Sequence, residues 1–402
     1  MNKVWQQFNT TIAAMSAGLM AVVVGFSSSI ALIYQSVINL GGDSSLVASW
    51  FLILGLSMGC LSILLSYYYK IPILIAWSTP GSALLIANIQ GFSLNQATAG
   101  FIVCAVLLML VPLLVPIDRL FKWLPSQLAS AMLAGILLSF GVSVFEQINL
   151  QPTLIMTMLI SYLLAKRFIP QWTLLIVIII SVICAWQLQL IEMKDIEWQW
   201  SEFQFIEPEF SWSVVFAISL PLFIITMAAQ NLPGIAMLQS FSYEAPVRPI
   251  LSIIGLCNIL VAPFGGYAIN LAAISASICM TEDVHSDPKQ RYKASIWSGI
   301  FYIVLGLFAA YIMAWFALLP SALILALAGI ALFSTITHSL QQSINSEHKY
   351  INEAAIITLL ITASPISLWG LSSVIWGIMG GLLVLFINTF KLPQLTKRSL
   401  NK

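Results

Sequence analysis

Apolar and polar positions along this chain fall into long blocks, not into the short periods of a soluble amphipathic fold. Apolar runs of about twenty residues, the length that one membrane crossing requires, are divided by brief polar breaks. The pattern predicts fourteen segments, near 12–38, 47–69, 72–90, 96–116, 126–145, 150–166, 171–190, 213–240, 247–264, 267–281, 294–318, 320–338, 351–368 and 370–390. The third and tenth are short and interrupted by glycine or proline. The expected fold is therefore an all-α polytopic membrane protein.

One stretch, Ser219 to Thr281, departs from the block pattern. The eighth segment reads Thr226-Met-Ala-Ala-Gln230-Asn231-Leu-Pro233-Gly234, so two amides, a proline and a glycine adjoin at membrane depth. About one hairpin later come Pro263-Phe-Gly265-Gly266 and Tyr267-Ala-Ile-Asn270-Leu271-Ala-Ala-Ile-Ser275. Polar groups and unwound backbone persist at that depth only where they line a cavity or lie buried in protein. Interrupted segments of this kind mark the binding site of a carrier. The plainer alternative is a proline kink with two amides binding a neighbouring helix.

Cations set the orientation. Lys3, Lys70, Arg119, Lys122, Lys166, Arg167, Arg248, Lys289, Arg291, Lys293, Lys349, Lys391, Lys397 and Arg398 all fall before the first crossing or after an even-numbered one. The opposite side carries Asp43, Glu146 and the acidic loop from Glu192 to Glu209, with Lys194 its single cation. Both termini are thus expected in the cytoplasm and the long loop outside. That loop divides the segments seven and seven, which makes the second half an inverted repeat of the first. Ile30-Ala-Leu-Ile-Tyr-Gln35-Ser36 resembles Gly234-Ile-Ala-Met-Leu-Gln239-Ser240, and on that offset Ser27 stands opposite Asn231. In the third segment, Trp77-Ser78-Thr79-Pro80-Gly81 reads as a short extended run, a helix cap and a half-length helix. Asn270 is expected to act as the cap in the tenth.

Two half-helix starts facing each other offer backbone N–H groups and positive dipole ends to an anion. No crossing holds an interior Lys or Arg that could do this instead. The expected site therefore joins Ser78–Gly81 to Asn270–Ala273, with Gln230 and Asn231 lining the same space. Trp77, Tyr267, Phe26 and Phe264 are candidate apolar walls.

Composition narrows the classes. The 402 residues are 60% hydrophobic and only 8% charged, against roughly 25% charged in soluble domains. Net charge is +1, which points to no nucleic-acid partner. The five cysteines lack metal or redox spacing and are expected to pack as small hydrophobes. The first apolar run, Thr11 to Ile38, is too long for a signal peptide. His285 sits near Glu282, Asp283 and Asp287, but without the spacing of a closed metal site. No metal, cofactor or catalytic constellation is expected, and hence no enzyme. No acid lies mid-membrane; Glu146 and Glu353 stand at segment ends, and Asp118 beside Arg119.

Thr226 to Gly234, Phe264 to Ser275 and Trp77 to Gly81 together resemble the benzoate/proton symporter family of bacteria, and the likeness runs through essentially the whole chain. The resemblance implies uptake of an aromatic monocarboxylate with a proton across the inner membrane. It also implies the seven-plus-seven fold shared with nucleobase permeases and sulfate/anion carriers. In that fold crossings 1–4 and 8–11 form a core and crossings 5–7 and 12–14 a gate. On this chain the core takes 1–116 and 213–318, the gate 117–191 and 319–402, and the outer loop 192–212. Nucleobase permeases carry acids where this chain has Gln230, Asn231 and Asn270, which argues against a uracil or xanthine carrier. The expected substrate-binding residues are Ser27, Trp77, Ser78, Thr79, Gly81, Gln230, Asn231, Tyr267, Asn270 and Leu271. Carriage of another small anion or neutral metabolite, and a passive anion channel, are the alternatives. Membrane lipid surrounds the chain, and a homodimer is compatible with the sequence.

Overall fold

Inside a bilayer the backbone finds no water, so each N–H and C=O must be satisfied within the protein. The computed structural model meets that demand mostly with helices; it describes residues 2–88, 91–114, 125–191, 198–272, 274–364, 366–368 and 371–389. In chain order these are α1 (Asn2–Ser27), α2 (Ile30–Asn39), α3 (Ser44–Tyr69), the two-residue strand β1 (Ile75–Ala76), α4 (Thr79–Asn88), α5 (Leu94–Leu114), α6 (Ser126–Glu146), α7 (Pro152–Phe168) and α8 (Thr173–Gln187). The second half gives α9 (Trp212–Ser240), α10 (Val247–Val261), β2 (Asn270–Leu271), α11 (Ile274–Ile278), α12 (Tyr292–Leu307) and α13 (Ala309–Ala317). It closes with α14 (Ser321–Ser343), α15 (Lys349–Ala363), β3 (Ser367–Leu368), β4 (Leu371–Ser372) and α16 (Ser373–Thr389). Among the described residues seven helical stretches are long and apolar enough to cross a membrane, or eight counting α12 and α13, which meet at a 61° bend. The loop residues Arg119, Lys122 and Lys194, the tail residues Lys391, Lys397 and Arg398, and Ala273 at the expected half-helix start lie outside the described residues.

The structure differs from the sequence pattern in five places. The eighth segment does not unwind at Gln230–Gly234. It stays helical from Trp212 to Ser240 through two π-helical turns, Val215–Ser219 and Met227–Asn231. Each precedes a proline, Pro221 and Pro233. A proline ring presses on the carbonyl four residues back and removes one N–H; a wider π turn absorbs both effects. The break falls instead in the first segment, where Ser28 and Ser29 separate α1 from α2. Asn270 is not a helix cap: it sits in β2, and its side chain donates to Ala268 O at 2.7 Å. The thirteenth segment ends at Ala363, since Ser364, followed by Pro365, is extended. Arg291 is not a solvated loop cation. It is 5% exposed and donates to the carbonyls of Met280, His285 and Ser286.

Packing falls into two groups of helices. In one, α3 lies along α12, α12 along α1, and α5 along α10; in the other, α6 lies along α14 and α15, α15 along α16, and α7 along α8. Glycines set the closest approach. A Cβ on Gly55 or Gly59 of α3 would collide with backbone of α12 at Tyr302 and Gly299, so the Gly-x-x-x-Gly face lets the helices touch. The segment 198–211 straps the first group at one end. Gln204 N–H reaches Ser49 Oγ, Ile206 N–H reaches Pro263 O, Glu209 N–H reaches Asn95 O, and Ser201 Oγ accepts from Ala310 N–H.

The two extended stretches need partners for backbone that no helix satisfies. β1 and β2 supply part by pairing antiparallel, Ile75 with Leu271 and Ala76 with Asn270. Neighbouring helices supply the rest through polar side chains. Ser66 of α3 donates to Ile73 O and accepts from Ile73 N–H, and Ser62 accepts from Ile75 N–H. In the other half, Asn258 of α10 donates to Ile269 O at 2.8 Å and accepts from Ile269 N–H at 2.9 Å. The same device thus serves both halves, built from serines in one and an asparagine in the other.

Candidate functional site

The β1–β2 pair brings the starts of the short helices α4 and α11 to one place in the interior. Ser78 caps α4, its Oγ accepting from Gly81 N–H at 2.9 Å while its carbonyl accepts from Ser82 N–H. Pro80 follows in the first turn, where its missing N–H leaves no deficit. Gly81 lies against Leu222 of α9, with no space for a side chain. The Met227–Asn231 turn of α9 packs on β2, and Gly234 allows Leu271 and Ala272 to press against the helix. Helix α6, from the second packing group, touches both α4 and this π turn. The junction therefore lies on the seam between the two groups.

Most donors expected to face a ligand are already engaged. Asn231, 1% exposed, accepts from Leu271 N–H at 3.0 Å, and its amide nitrogen meets Met227 Sδ. Ala272 N–H donates to Leu74 O at 2.9 Å. The Thr79 hydroxyl is paired with Ser29, which ties α4 to the break between α1 and α2. Tyr267 is fully enclosed, stacked on Phe101, edge-on to Trp50, and hydrogen-bonded to Ser82 Oγ at 2.7 Å. Trp77 is 4% exposed and packs with Phe26, Phe51 and Tyr302. Phe264 faces Phe203 and Phe205 of the strap. Ser27 bonds weakly to Val24 O and lines a separate cavity between α1, α7 and α14.

The groups left with capacity are few. Gln230 is half-buried, and its side chain has no hydrogen bond among the described residues. Asn270 Oδ1, Thr226 Oγ1 and Gln35 Oε1 are buried without a partner, as are the Trp50 Nε1 donor beside Tyr267 and the Tyr302 hydroxyl beside Trp77. The elements of the first three adjoin: β2 meets the Met227–Asn231 turn, the Leu220–Thr226 stretch meets α4, and α4 meets α2. Asn270 Oδ1 and Gln35 Oε1 are amide oxygens, which only accept. The junction thus offers unspent acceptors where the sequence suggests donors.

Asn258, Ser62, Ser66, Ser29 and Ser82 were not singled out in the sequence, although they hold the junction in shape. A polar residue inside an apolar helix one hairpin before an extended run is the signal that points to Asn258 and Ser66. Gly265 has another: its φ of +86° and the Trp50 indole beneath it leave no room for a side chain.

Comparison with known proteins gives these features a family. The solved transmembrane domain of the cyanobacterial bicarbonate transporter BicA superposes on 92% of this chain and 97% of its own, with a TM-score of 0.64 at 13% identity. SLC26A9 matches 94% of the chain over 66% of its own, with a TM-score of 0.61 at 13% identity. At that identity the two share its fold. In sequence the chain is 39% identical over 365 residues to the inner membrane protein YdcO of Escherichia coli, covering 91% of this chain and 93% of that protein. It is 35% identical over 377 residues to the benzoate membrane transport protein of Acinetobacter baylyi, covering 94% and 95%. The profile described as "Benzoate membrane transport protein" matches residues 8–387. The chain belongs to the benzoate membrane transport protein family, whose members are membrane transporters and not enzymes.

Proposed function

We propose that the chain imports benzoate or a similar aromatic monocarboxylate together with a proton, across the inner membrane of a bacterium. The carrying observation is the set of buried atoms without partners at the β1–β2 junction. Asn270 Oδ1, the acceptor among them on β2, calls for a hydrogen-bond donor. A carboxylic acid supplies an O–H, whereas a carboxylate supplies none. Burial also favours the neutral acid over its anion. The ligand then brings the proton itself, its carboxyl at Asn270 and Gln230, flanked by Asn231, Leu271 and the Ser78–Gly81 turn, with Thr226 Oγ1 nearby. Trp77 and Tyr267 back this wall from behind, and Ser27 stands on the route of access. Glu146 and Glu353 are exposed, and Arg291 is the only buried charged side chain among the described residues. Neither fact supports a carboxylate relay within the protein.

In this reading fourteen crossings form inverted halves, with both termini cytoplasmic and the strap outside. Residues 1–116 and 213–318 form a core that carries the ligand, while 117–191 and 319–402 form the gate. The helices α7, α8, α15 and α16 have 15 to 17 residues. At 1.5 Å per residue they extend about 22–26 Å, so as crossings they need a locally thin bilayer or flanking turns. A homodimer is compatible with the arrangement. The test is benzoate uptake into proteoliposomes under an inward proton gradient, with uracil, sulfate and bicarbonate as competitors. Accumulation above the outside concentration, lost on collapsing the gradient, is expected. Equilibration without accumulation identifies an anion channel, and preference for another competitor identifies a different substrate.

A further inference from the structure

The cavity that Ser27 lines has about 210 Å³ and separates the end of α1 from the α7–α8 turn and α14. Its walls are mixed. Leu174 and Ile330 give apolar surface, while Lys166, Tyr162 and Ser334 give polar groups close together. Lys166 Nζ donates to Tyr162 OH at 2.8 Å and to Ser334 Oγ at 3.3 Å. Both partners are neutral, and no carboxylate pairs with this ammonium among the described residues. Lys166 Nζ also lies 5.2 Å from the Tyr162 ring centroid, and its side chain is exposed. With two of its three N–H donors engaged, it borders the cavity with one unspent.

Size and chemistry select the class of occupant. An apolar cavity of about 150 Å³ holds a benzene ring, and this one exceeds that by enough for a carboxylate. An aryl ring fits Leu174 and Ile330. An ammonium beside two hydroxyls fits a carboxylate, through a charge-assisted bond and two neutral ones. We infer that Lys166, Tyr162 and Ser334 form a second, peripheral subsite that takes an aromatic monocarboxylate as its anion. The inference rests on the transport reading above and extends it. On the topology read from the cations Lys166 lies toward the cytoplasm, so in import the neutral acid leaves the acceptor-rich junction, gives its proton to cytoplasmic water, and is held as its anion at Lys166 before release. The two subsites thereby prefer opposite protonation states of the same ligand.

The test compares wild type, Lys166→Met, Lys166→Gln and Lys166→Arg as full-length purified protein, each checked for monodispersity and melting temperature. Benzoate and the neutral analogue benzamide are titrated by calorimetry at low and high salt, and benzoate uptake is measured in parallel. Removing the charge is expected to raise the half-saturating benzoate concentration about three- to tenfold at low salt. Lys166→Arg is expected to retain most of the affinity, and benzamide to be indifferent to all three substitutions. The difference is expected to shrink at about 1 M salt, where the screening length falls to about 3 Å. Equal benzoate affinity in wild type and Lys166→Met, or equal losses for benzoate and benzamide, overturns the subsite. Should Lys166→Met not fold, Lys166→Gln decides on the same criteria. Wild-type protein that binds benzoate in this charge-dependent way but does not accumulate it refutes the transport reading and leaves the subsite standing.

Discussion

Replacing Asn258 with leucine separates two views of what holds the junction. Asn258 is 2% exposed and grips Ile269 at both backbone groups, with a further bond from its amide nitrogen to Ile254 O at 2.9 Å. Leucine keeps the branched heavy-atom outline, though with bulkier methyl ends, and removes all three bonds. The carbonyl of Ile254 loses little, because it sits within a helix whose ladder also uses it. The N–H and C=O of Ile269 lose their side-chain partner at a position with 0% exposure. Each orphaned buried group costs about 1–3 kcal/mol, so the substitution should destabilise by about 2–6 kcal/mol. Ordinary interhelical polar contacts in membranes average about 0.6 kcal/mol, because the partner finds another bond. An extended backbone wedged between helices finds none, which is why the larger figure applies. The assay is reversible unfolding in mixed micelles by SDS titration, with Ser66→Ala measured beside it as the counterpart in the first half. Benzoate binding should fall with stability, because β2 carries Asn270. A loss below about 1 kcal/mol in Asn258→Leu would show that the strand keeps its place without this side chain, and the account of the junction would fail.

Further outcomes follow from neighbouring residues. Gln230→Ala should weaken benzoate binding about ten- to a hundredfold with the melting temperature unchanged, whereas Asn231→Ala should lower stability by about 1–3 kcal/mol, since Leu271 N–H loses its acceptor; the reverse pattern in paired binding and melting measurements would exchange their roles. Uptake by Glu146→Gln and Glu353→Gln should keep the wild-type pH dependence, and its loss in either variant would assign proton coupling to that residue. Arg291→Ala should remove bonds to three carbonyls and loosen the 280–291 turn, seen as faster proteolysis there in inverted vesicles, while unchanged cleavage would show that the turn holds without the guanidinium. Cysteine introduced at Trp200 should react with an impermeant reagent from the cell exterior and one at Gln290 should not; the opposite result inverts the topology.

The blocks of apolar residues carried the class of fold, because only a bilayer rewards runs of that length. The location of the junction was legible for a related reason: Trp77 to Gly81 and Tyr267 to Leu271 combine glycine, proline and polar residues where a lipid-facing helix would have none. What could not be read was the direction of each hydrogen bond. Asn231 looks like a ligand residue in sequence, yet its oxygen serves Leu271 N–H. Gln230, one position earlier and of the same chemical type, is half-buried with no side-chain hydrogen bond among the described residues. One step along a helix rotates a side chain by about 100°, and the π turn at Met227–Asn231 shifts that register again. No periodicity argument resolves the two amides once the turn is not α-helical. Pro233 misleads in the same way. It suggests a broken helix, while the extra backbone length of the π turn lets the helix continue.

The irregularities share a physical logic that links the halves. The first segment breaks at Ser28–Ser29, and the eighth bulges at Met227–Asn231, directly before Leu232 and Pro233, which the offset from Ile30 to Gly234 sets opposite that break. Each uses the irregularity to present polar groups to an extended strand or half-helix start: Ser29 to Thr79 of α4, and Asn231 to Leu271 of β2. Each links its own half's short helix to the long segment beside it, so α2 with α4 and α9 with β2 are coupled by hydrogen bonds as well as by packing. The links between the two packing groups are different in kind. Around the Lys166 cavity the described bonds join α7 to α14 within the second group, by Lys166 to Ser334, while Ser27 of the first group bonds only within its own helix. A body bound internally by directed bonds, and meeting its neighbour through the packing of α6 on α4 and across the Lys166 cavity, is suited to move as a unit. Gln230 and Asn270, the proposed ligand groups, belong to the first group, so in the transport reading a displacement of that group against α6 and α14 would carry the junction with it. A carrier whose proposed central site travels with one body requires such an arrangement, and a fixed channel would need no such separation.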